Sequence, residues 1–318
     1  MVNATFDPSD SRNGTAAPAS LSEKQAGAPF SVYSPAKVDL PVVIAVPHAG
    51  RDYTAEMHGR LRQPEFVKKR LEDRYVDAVA LEVLQSLGVV LFIAHAPRAI
   101  LDLNRSPEDI DWTMISEKRG AAPQNSIANR RARNGLGLIP RRLAGLGEIW
   151  RGPLTQDELT ARIDTIHRPY HQALSQQLAQ IRDEWGSALL IDLHSMPPLP
   201  VKPGESRGAE FVIGDRFGAS CDPGLVSKGQ RFLESKGRIV TYNRPYSGGY
   251  VLDAHGLPRH GIHALQLELC RSIYLDDDLD KPNDSLQEVA GLVAEFARLL
   301  GSYTAERGGT GFSALAAE

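Results

Sequence analysis

Two histidines in this 318-residue chain close short runs of β-branched and aliphatic residues. Val42-Val43-Ile44-Ala45-Val46 leads into Pro47-His48-Ala49-Gly50, and Ala188-Leu189-Leu190-Ile191 leads into Asp192-Leu193-His194-Ser195. Two imidazoles from separate segments are part of what a catalytic zinc needs, since such a site takes three protein ligands and keeps one position open. A carboxylate has to complete the set. Asp73 is the candidate, with Glu72 and Asp77 as competitors; Asp77 reads better as a helix-surface acid. Asp192 lies two residues before His194, on the same side of an extended strand, and is placed to orient an imidazole. A third apolar run, Ile262 to Leu267, ends on Glu268. An unpaired carboxylate there is expensive, so Glu268 reads as a general base for an attacking water or as the ion-pair partner of Arg271. Asn104-Arg105 offers an amide and a guanidinium fork for a substrate carboxylate, against the competing reading that Asp102 neutralises Arg105. Arg98 is the cation available to steady an oxyanion. The combination points to metal-assisted hydrolysis with about one zinc ion per chain.

Positioning these groups requires strands whose carboxyl ends open onto one crevice, as in α/β sheets. Apolar runs of this length bounded by Pro and Gly are buried strands of a parallel sheet. Further strands are expected at Val89–Ala94, Arg98–Arg105, Phe211–Gly214 and Arg238–Tyr242. Helical spacing runs from Pro64 to Gly88, from Pro223 to Gly237 and from about Ser285 to Leu300. Thr155-Gln156-Asp157-Glu158 is a capping box that opens a helix running to Trp185, which Pro169 kinks or divides. Alternating strands and helices predict one three-layer αβα domain over residues 38–318, with an irregular insertion around 106–153 and a flexible leader over 1–37. His58 and His95 read as structural or surface residues. His167 and His171 are spaced i, i+4 with no Glu between them to complete a His-Glu-x-x-His pattern. His255, His260 and His263 cluster beside the glycine loop Tyr246-Ser247-Gly248-Gly249-Tyr250.

Composition narrows the partners. With 36 Lys+Arg against 39 Asp+Glu, the net charge is −3, which argues against a general nucleic-acid binder. The cluster Arg130, Arg131, Arg133, Arg141 and Arg142 reads as a solvated face. No stretch has the roughly 18 apolar residues of a membrane span. Two cysteines, Cys221 and Cys270, make no disulfide framework, and the first residues lack a secretory pattern, so the expected location is cytoplasmic.

Six motifs, taken in order, resemble the N-formylglutamate amidohydrolases. They are Pro47-His48-Ala49-Gly50, Asp102-Leu103-Asn104-Arg105, Asp192-Leu193-His194-Ser195, Gly218 to Pro223, Tyr246 to Tyr250 and Gln266-Leu267-Glu268-Leu269-Cys270-Arg271. The resemblance spans about Val42 to Tyr274, and Pro169-Tyr170-His171 adds to it. It implies a zinc-carboxypeptidase-like (phosphorylase/hydrolase-like) fold with a mixed, mostly parallel sheet. It further implies His48, Asp73 and His194 as metal ligands, Glu268 as base, and Asn104, Arg105, Gly248, Gly249 and Arg271 around a small N-acyl acidic amino acid. The residue three after His48 is Arg51, not the Glu of a carboxypeptidase His-x-x-Glu. A carboxypeptidase-like or other amidase, or a non-catalytic binder of acidic small molecules, are the competing readings.

Overall fold

The structure, a computed structural model, describes residues 27–116, 130–201 and 207–315. In chain order its strands are β1 (Phe30–Tyr33), β2 (Val42–Val46), β3 (Val90–Ala94), β4 (Arg142–Leu143), β5 (Gly147–Glu148), β6 (Ala188–Met196), β7 (Phe211–Gly214), β8 (Val240–Tyr242) and β9 (Ile262–Cys270). The helices are α1 (Ala55–Arg60), α2 (Pro64–Leu71), α3 (Val76–Ser86), α4 (Arg130–Arg133), α5 (Gln156–Arg162), α6 (Arg168–Trp185), α7 (Pro223–Ser235), α8 (Tyr250–His255) and α9 (Leu286–Leu315). Seven strands form one sheet in the order β1-β3-β2-β6-β9-β7-β8. The β3/β2, β2/β6, β6/β9 and β7/β8 pairs are parallel, whereas β1 and β7 run antiparallel to their neighbours β3 and β9. This is the mixed, mostly parallel three-layer αβα arrangement expected from the sequence.

Every residue of β2, β6 and β9 is buried, as parallel strands covered on both faces must be. Odd-numbered positions of β6 and β9 (Leu189, Ile191, Leu193, Leu265, Leu267) pack with α3, α7 and α9. Even-numbered positions face α6, and there the stripe changes character. Ala188, Leu190, Ile262 and Ala264 join the second core, but the next positions toward the carboxyl end are Asp192, His194, Gln266 and Glu268. Parallel register sets His194 beside Glu268 and Asp192 beside Gln266, so all four open on one side.

Several boundaries depart from the sequence reading. The leader ends before Lys37: β1 already pairs with β3, anchored by Phe30 stacked on Phe92 and set edge-on to Tyr170 at 5.4 Å; residues 1–26 lie outside the described residues. The helix expected over Pro64–Gly88 is two, because Tyr75 is left-handed at φ 56° and no right-handed helix passes through that conformation. The strand expected over Arg98–Arg105 is a set of turns. There the Asp102 carboxylate accepts from the Asn104 amide at 2.8 Å, an Asx-type turn in place of a ladder. The helix is divided just before Pro169, which sits in the first turn of α6. A π-helical turn, Ile163–His167, joins α5 to α6, and the Thr155/Glu158 capping box forms as written. The insertion is less irregular than expected, with the β4–β5 hairpin and with Leu138, Ile139, Ile149 and Trp150 in the second core; residues 117–129 lie outside the described residues. No described helix is long and apolar enough to cross a membrane.

Candidate active site

Asp73 reaches the strand tops because the Glu72–Tyr75 break returns the chain there, with the Asp73 amide donating to the His48 carbonyl at 3.0 Å. Its carboxylate then lies 2.9 Å from His194 Nδ1 and 3.6 Å from His48 Nδ1. Ligand atoms of the three residues fall within 4.8 Å of one another, the one such cluster among the described residues. The outward nitrogens are held by carboxylates: His48 Nε2 lies 2.7 Å from Asp102 and His194 Nε2 lies 2.9 Å from Asp192. An Nε2–H donated to a carboxylate leaves the Nδ1 lone pair free to ligate. His48 Nδ1 is buried with no hydrogen-bond partner, an orphan that a cation would satisfy. By these observations the residues fit a divalent metal.

The competing acids are committed elsewhere. Asp77 forms a two-bond pair with Arg51 at 2.6 and 3.0 Å, and Glu72 pairs with Arg74 at 3.2 Å. Burial resists ionisation of Asp73, yet the hydrogen bond of His194, and then the nearby His48 imidazole, hold its carboxyl well below the usual range. Burial likewise opposes charge on His194, but Asp192, Asp73 and Glu268 hold its proton affinity well above that of an ordinary imidazole. A proton is the cation these acids retain when no metal is bound, and a metal would displace it.

Glu268 lines the same cavity and is pushed up to about 7, mainly by burial. The Asp73 and Asp192 charges add to the rise, while His194 and Arg98 oppose it. Gln266 donates to its Oε1 at 2.6 Å, and no ion pair joins it to Arg271 among the described residues. Arg98 is tied to Asp102 at 2.9 Å. Arg105 spends Nε on the Leu136 carbonyl at 3.0 Å and Nη1 on the Asn104 carbonyl at 2.7 Å, and its nearest carboxylate among the described residues, Asp102, is 4.0 Å away. Burial, then the neighbouring Arg98 and Arg131, lower its proton affinity against the pull of Asp102. It is an undercompensated guanidinium facing the cavity, and an anion relieves it.

All ten residues singled out from the sequence (His48, Asp73, Arg98, Asn104, Arg105, His194, Gly248, Gly249, Glu268, Arg271) line one cavity of about 1130 Å³. Two have other occupations than expected. Asn104 donates from Nδ2 to Asp192 at 3.2 Å, the carboxylate that also receives His194 Nε2–H, and accepts the Val251 amide on Oδ1 at 2.9 Å, so its amide braces the site instead of awaiting a carboxylate. Arg271 donates to Ser195 Oγ at 3.1 Å, to the Lys69 carbonyl at 3.0 Å and to the Glu72 carbonyl, and its Nη2 is 3.3 Å from Asp73. It fastens the break that carries Asp73. The structure adds Asp102 as a partner of His48 and Gln266 as a partner of Glu268. Position i−2 on a strand signals Gln266; nothing local signals Asp102. In the basic cluster, Arg141 pairs with Asp111 and Glu148, and Arg142 with Glu148, while Arg131 and Arg133 are exposed; the Arg130 side chain lies outside the described residues.

Comparison with known proteins settles the relationship. Residues 40–275 match the N-formylglutamate amidohydrolase family. The chain belongs to that family. Amidohydrolases of this kind cleave linear amides, and the chain is such a hydrolase. It is 27% identical over 242 residues to an N-formylglutamate deformylase of Pseudomonas aeruginosa and 30% identical over 246 residues to one of Pseudomonas putida. Each match covers 75% of this chain and 83% of the relative. Among solved structures, N-formylglutamate amidohydrolase from Ralstonia eutropha JMP134 superposes with a TM-score of 0.78 at 31% identity, covering 88% of this chain and 99% of that one. The Atu2144 product of Agrobacterium tumefaciens, 19% identical with a TM-score of 0.64 over 87% and 96% of the two chains, shares the fold.

Proposed function

We propose that this amidohydrolase removes the formyl group of N-formyl-L-glutamate, or the acyl group of a closely related N-acyl acidic amino acid, with a zinc ion held by His48, Asp73 and His194. The observation that carries the reading is the pair of inward Nδ1 atoms meeting the Asp73 carboxylate, with both outward nitrogens held by Asp102 and Asp192. Zinc bound there supplies a Lewis acid and brings the pKa of water toward about 7. Glu268, itself held at about 7, takes the proton of the attacking water and passes it to the leaving amine nitrogen, releasing formate and glutamate. Arg98 faces the negative charge that develops on the amide oxygen, and Arg105 receives a carboxylate of the amino acid. The products are small and ionic, and the two buried free cysteines suit a reducing compartment; we assign the enzyme to the cytoplasm.

A second reading has one observation in its favour. The cavity, at about 1130 Å³, is larger than the pockets that usually enclose drug-sized ligands, roughly 300–1,000 Å³, so N-acylated acidic peptides also fit. The test is amine release from matched N-formyl, N-acetyl and N-succinyl glutamate and from N-formyl-glutamyl peptides, with metal content measured on the same samples. Fastest turnover of N-formylglutamate by protein carrying one zinc supports the first reading. Full activity after chelation has removed all metal refutes the zinc assignment, and turnover confined to peptides shifts the substrate to the second reading.

A further inference from the structure

Three buried histidines outside the candidate metal site share one occupation. His167 Nε2 lies 2.9 Å from the Arg105 carbonyl, and His171 Nε2 lies 2.9 Å from the Leu103 carbonyl. A carbonyl only accepts, so both Nε2 atoms carry hydrogen. The neutral His171 ring then offers a lone pair at Nδ1, where His255 Nε2 meets it at 2.9 Å. The rings are packed as a block, with His167 and His171 centroids 4.3 Å apart and His171 and His255 stacked at 5.2 Å. The elements carrying them grip the same turn: the α8 amides of Tyr250 and Val251 donate to Asn104 O and Oδ1. The Asp102–Arg105 turn is thus clamped from behind by α6 and α8. On its front it bonds His48 through Asp102 and reaches His194 through the Asn104–Asp192 bond, and it presents Arg105 to the cavity. The π-helical turn that ends at His167 is an irregularity of the kind found at functional sites.

We propose that His167, His171 and His255 are positioning residues of the reaction, acting through the Arg105 and Leu103 carbonyls on the turn that joins the metal site to the carboxylate pocket. The proposal rests on the function assigned above. It divides labour by position: His167 holds the peptide of Arg105 and so governs substrate binding, whereas His171, backed by His255, holds the peptide between Asp102 and Asn104 and so governs the two candidate ligand imidazoles.

The test replaces each ring with Phe, which keeps a ring and removes the donor, and with Gln, whose amide N–H reaches toward the same carbonyl. KM and kcat for N-formylglutamate, zinc affinity by competition with a coloured chelator, and melting temperature are measured on each protein. Loss of a group that orients an inner residue costs about 10–100-fold. His167→Phe should raise KM by that order with zinc affinity unchanged, His171→Phe should weaken zinc affinity by that order, and both Gln variants should recover most of the loss. Folded Phe variants with wild-type KM and zinc affinity overturn the proposal, and so do Gln variants as impaired as the Phe ones. If His171→Phe does not fold, His255→Leu decides: weakened zinc affinity in a folded protein supports the proposal and wild-type affinity overturns it. Wild-type protein inactive on every N-acyl acidic substrate would instead refute the functional reading, with the zinc measurements still deciding this one.

Discussion

Replacing Glu268 by Gln separates two consequences of burying that carboxyl. The variant keeps the size and the acceptor oxygen that Gln266 addresses, but it cannot take a proton. Hydrolysis should fall about 10²–10⁴-fold while zinc stays bound. Stability should move the other way in metal-free protein. Each tenfold change in proton affinity is worth about 1.4 kcal/mol. Holding the carboxyl at about 7 against its ordinary 4.5 therefore costs its ionised form about 3 kcal/mol. The sign follows from proton counts: between those values the folded chain keeps a proton that the unfolded chain has lost. Wild-type stability thus declines as pH rises through that window and stays lower above it, and Glu268→Gln is spared this contribution. Urea unfolding of chelator-treated wild type and variant should give similar stabilities at about pH 4 and a more stable variant, by up to about 3 kcal/mol, at about pH 8. Equal pH dependence of the two proteins would refute the reasoning about burial. Loss of zinc from the variant would make Glu268 a ligand, and wild-type turnover would move the base elsewhere.

Other perturbations probe the neighbouring groups. His48→Ala and His194→Ala should each lose zinc in elemental analysis together with activity; full metal occupancy in the double variant would place the site elsewhere. Asp102→Asn should weaken zinc affinity or turnover by about 10–100-fold, read by chelator competition and initial rates. Arg105→Lys keeps the charge but not the fork, so kcat/KM for N-formylglutamate should fall by about tenfold or more. An amide-capped analogue lacking the carboxylate should lose far less. Gly249→Ala puts a Cβ 2.5 Å from Asn104 Oδ1. It should cost about 1–3 kcal/mol of stability and much of the activity, measured by thermal melting and kinetics on one preparation.

The strands and the polar residues along them are legible in sequence because their signal is local. A run such as Val42–Val46 or Ala188–Ile191 announces a buried strand within a few residues, and the side chains that follow inherit its position. The same locality explains what is missed. Tyr75 interrupts a helical pattern with no Gly or Pro to mark the break, so the return of the chain to His48 shows only in three dimensions. Asn104 looks like a free amide in sequence because Asp192 and Val251, the groups that consume it, are 88 and 147 residues away. Arg271 sits three residues from Glu268, yet its bonds go to a peptide segment about 200 residues earlier. Phe30 enters the sheet because of Phe92 and Tyr170, which a polar, Pro-rich leader gives no reason to anticipate.

The parallel register of β6 and β9 has a consequence for how such an enzyme diverges. The proposed reacting groups ride on the sheet: removing one residue from either strand would turn His194 or Glu268 to the opposite face, and the proposed chemistry would vanish at a stroke. The β4–β5 hairpin, which contributes Arg142 to Gly145 to the cavity wall, stands outside that ladder and can be exchanged without touching it. On the proposed assignment, catalysis and selectivity are therefore inherited through separate pieces of chain. A mutant library confined to the hairpin should yield altered substrate preference at nearly unchanged fold stability, whereas one confined to β6 and β9 should yield mostly inactive protein.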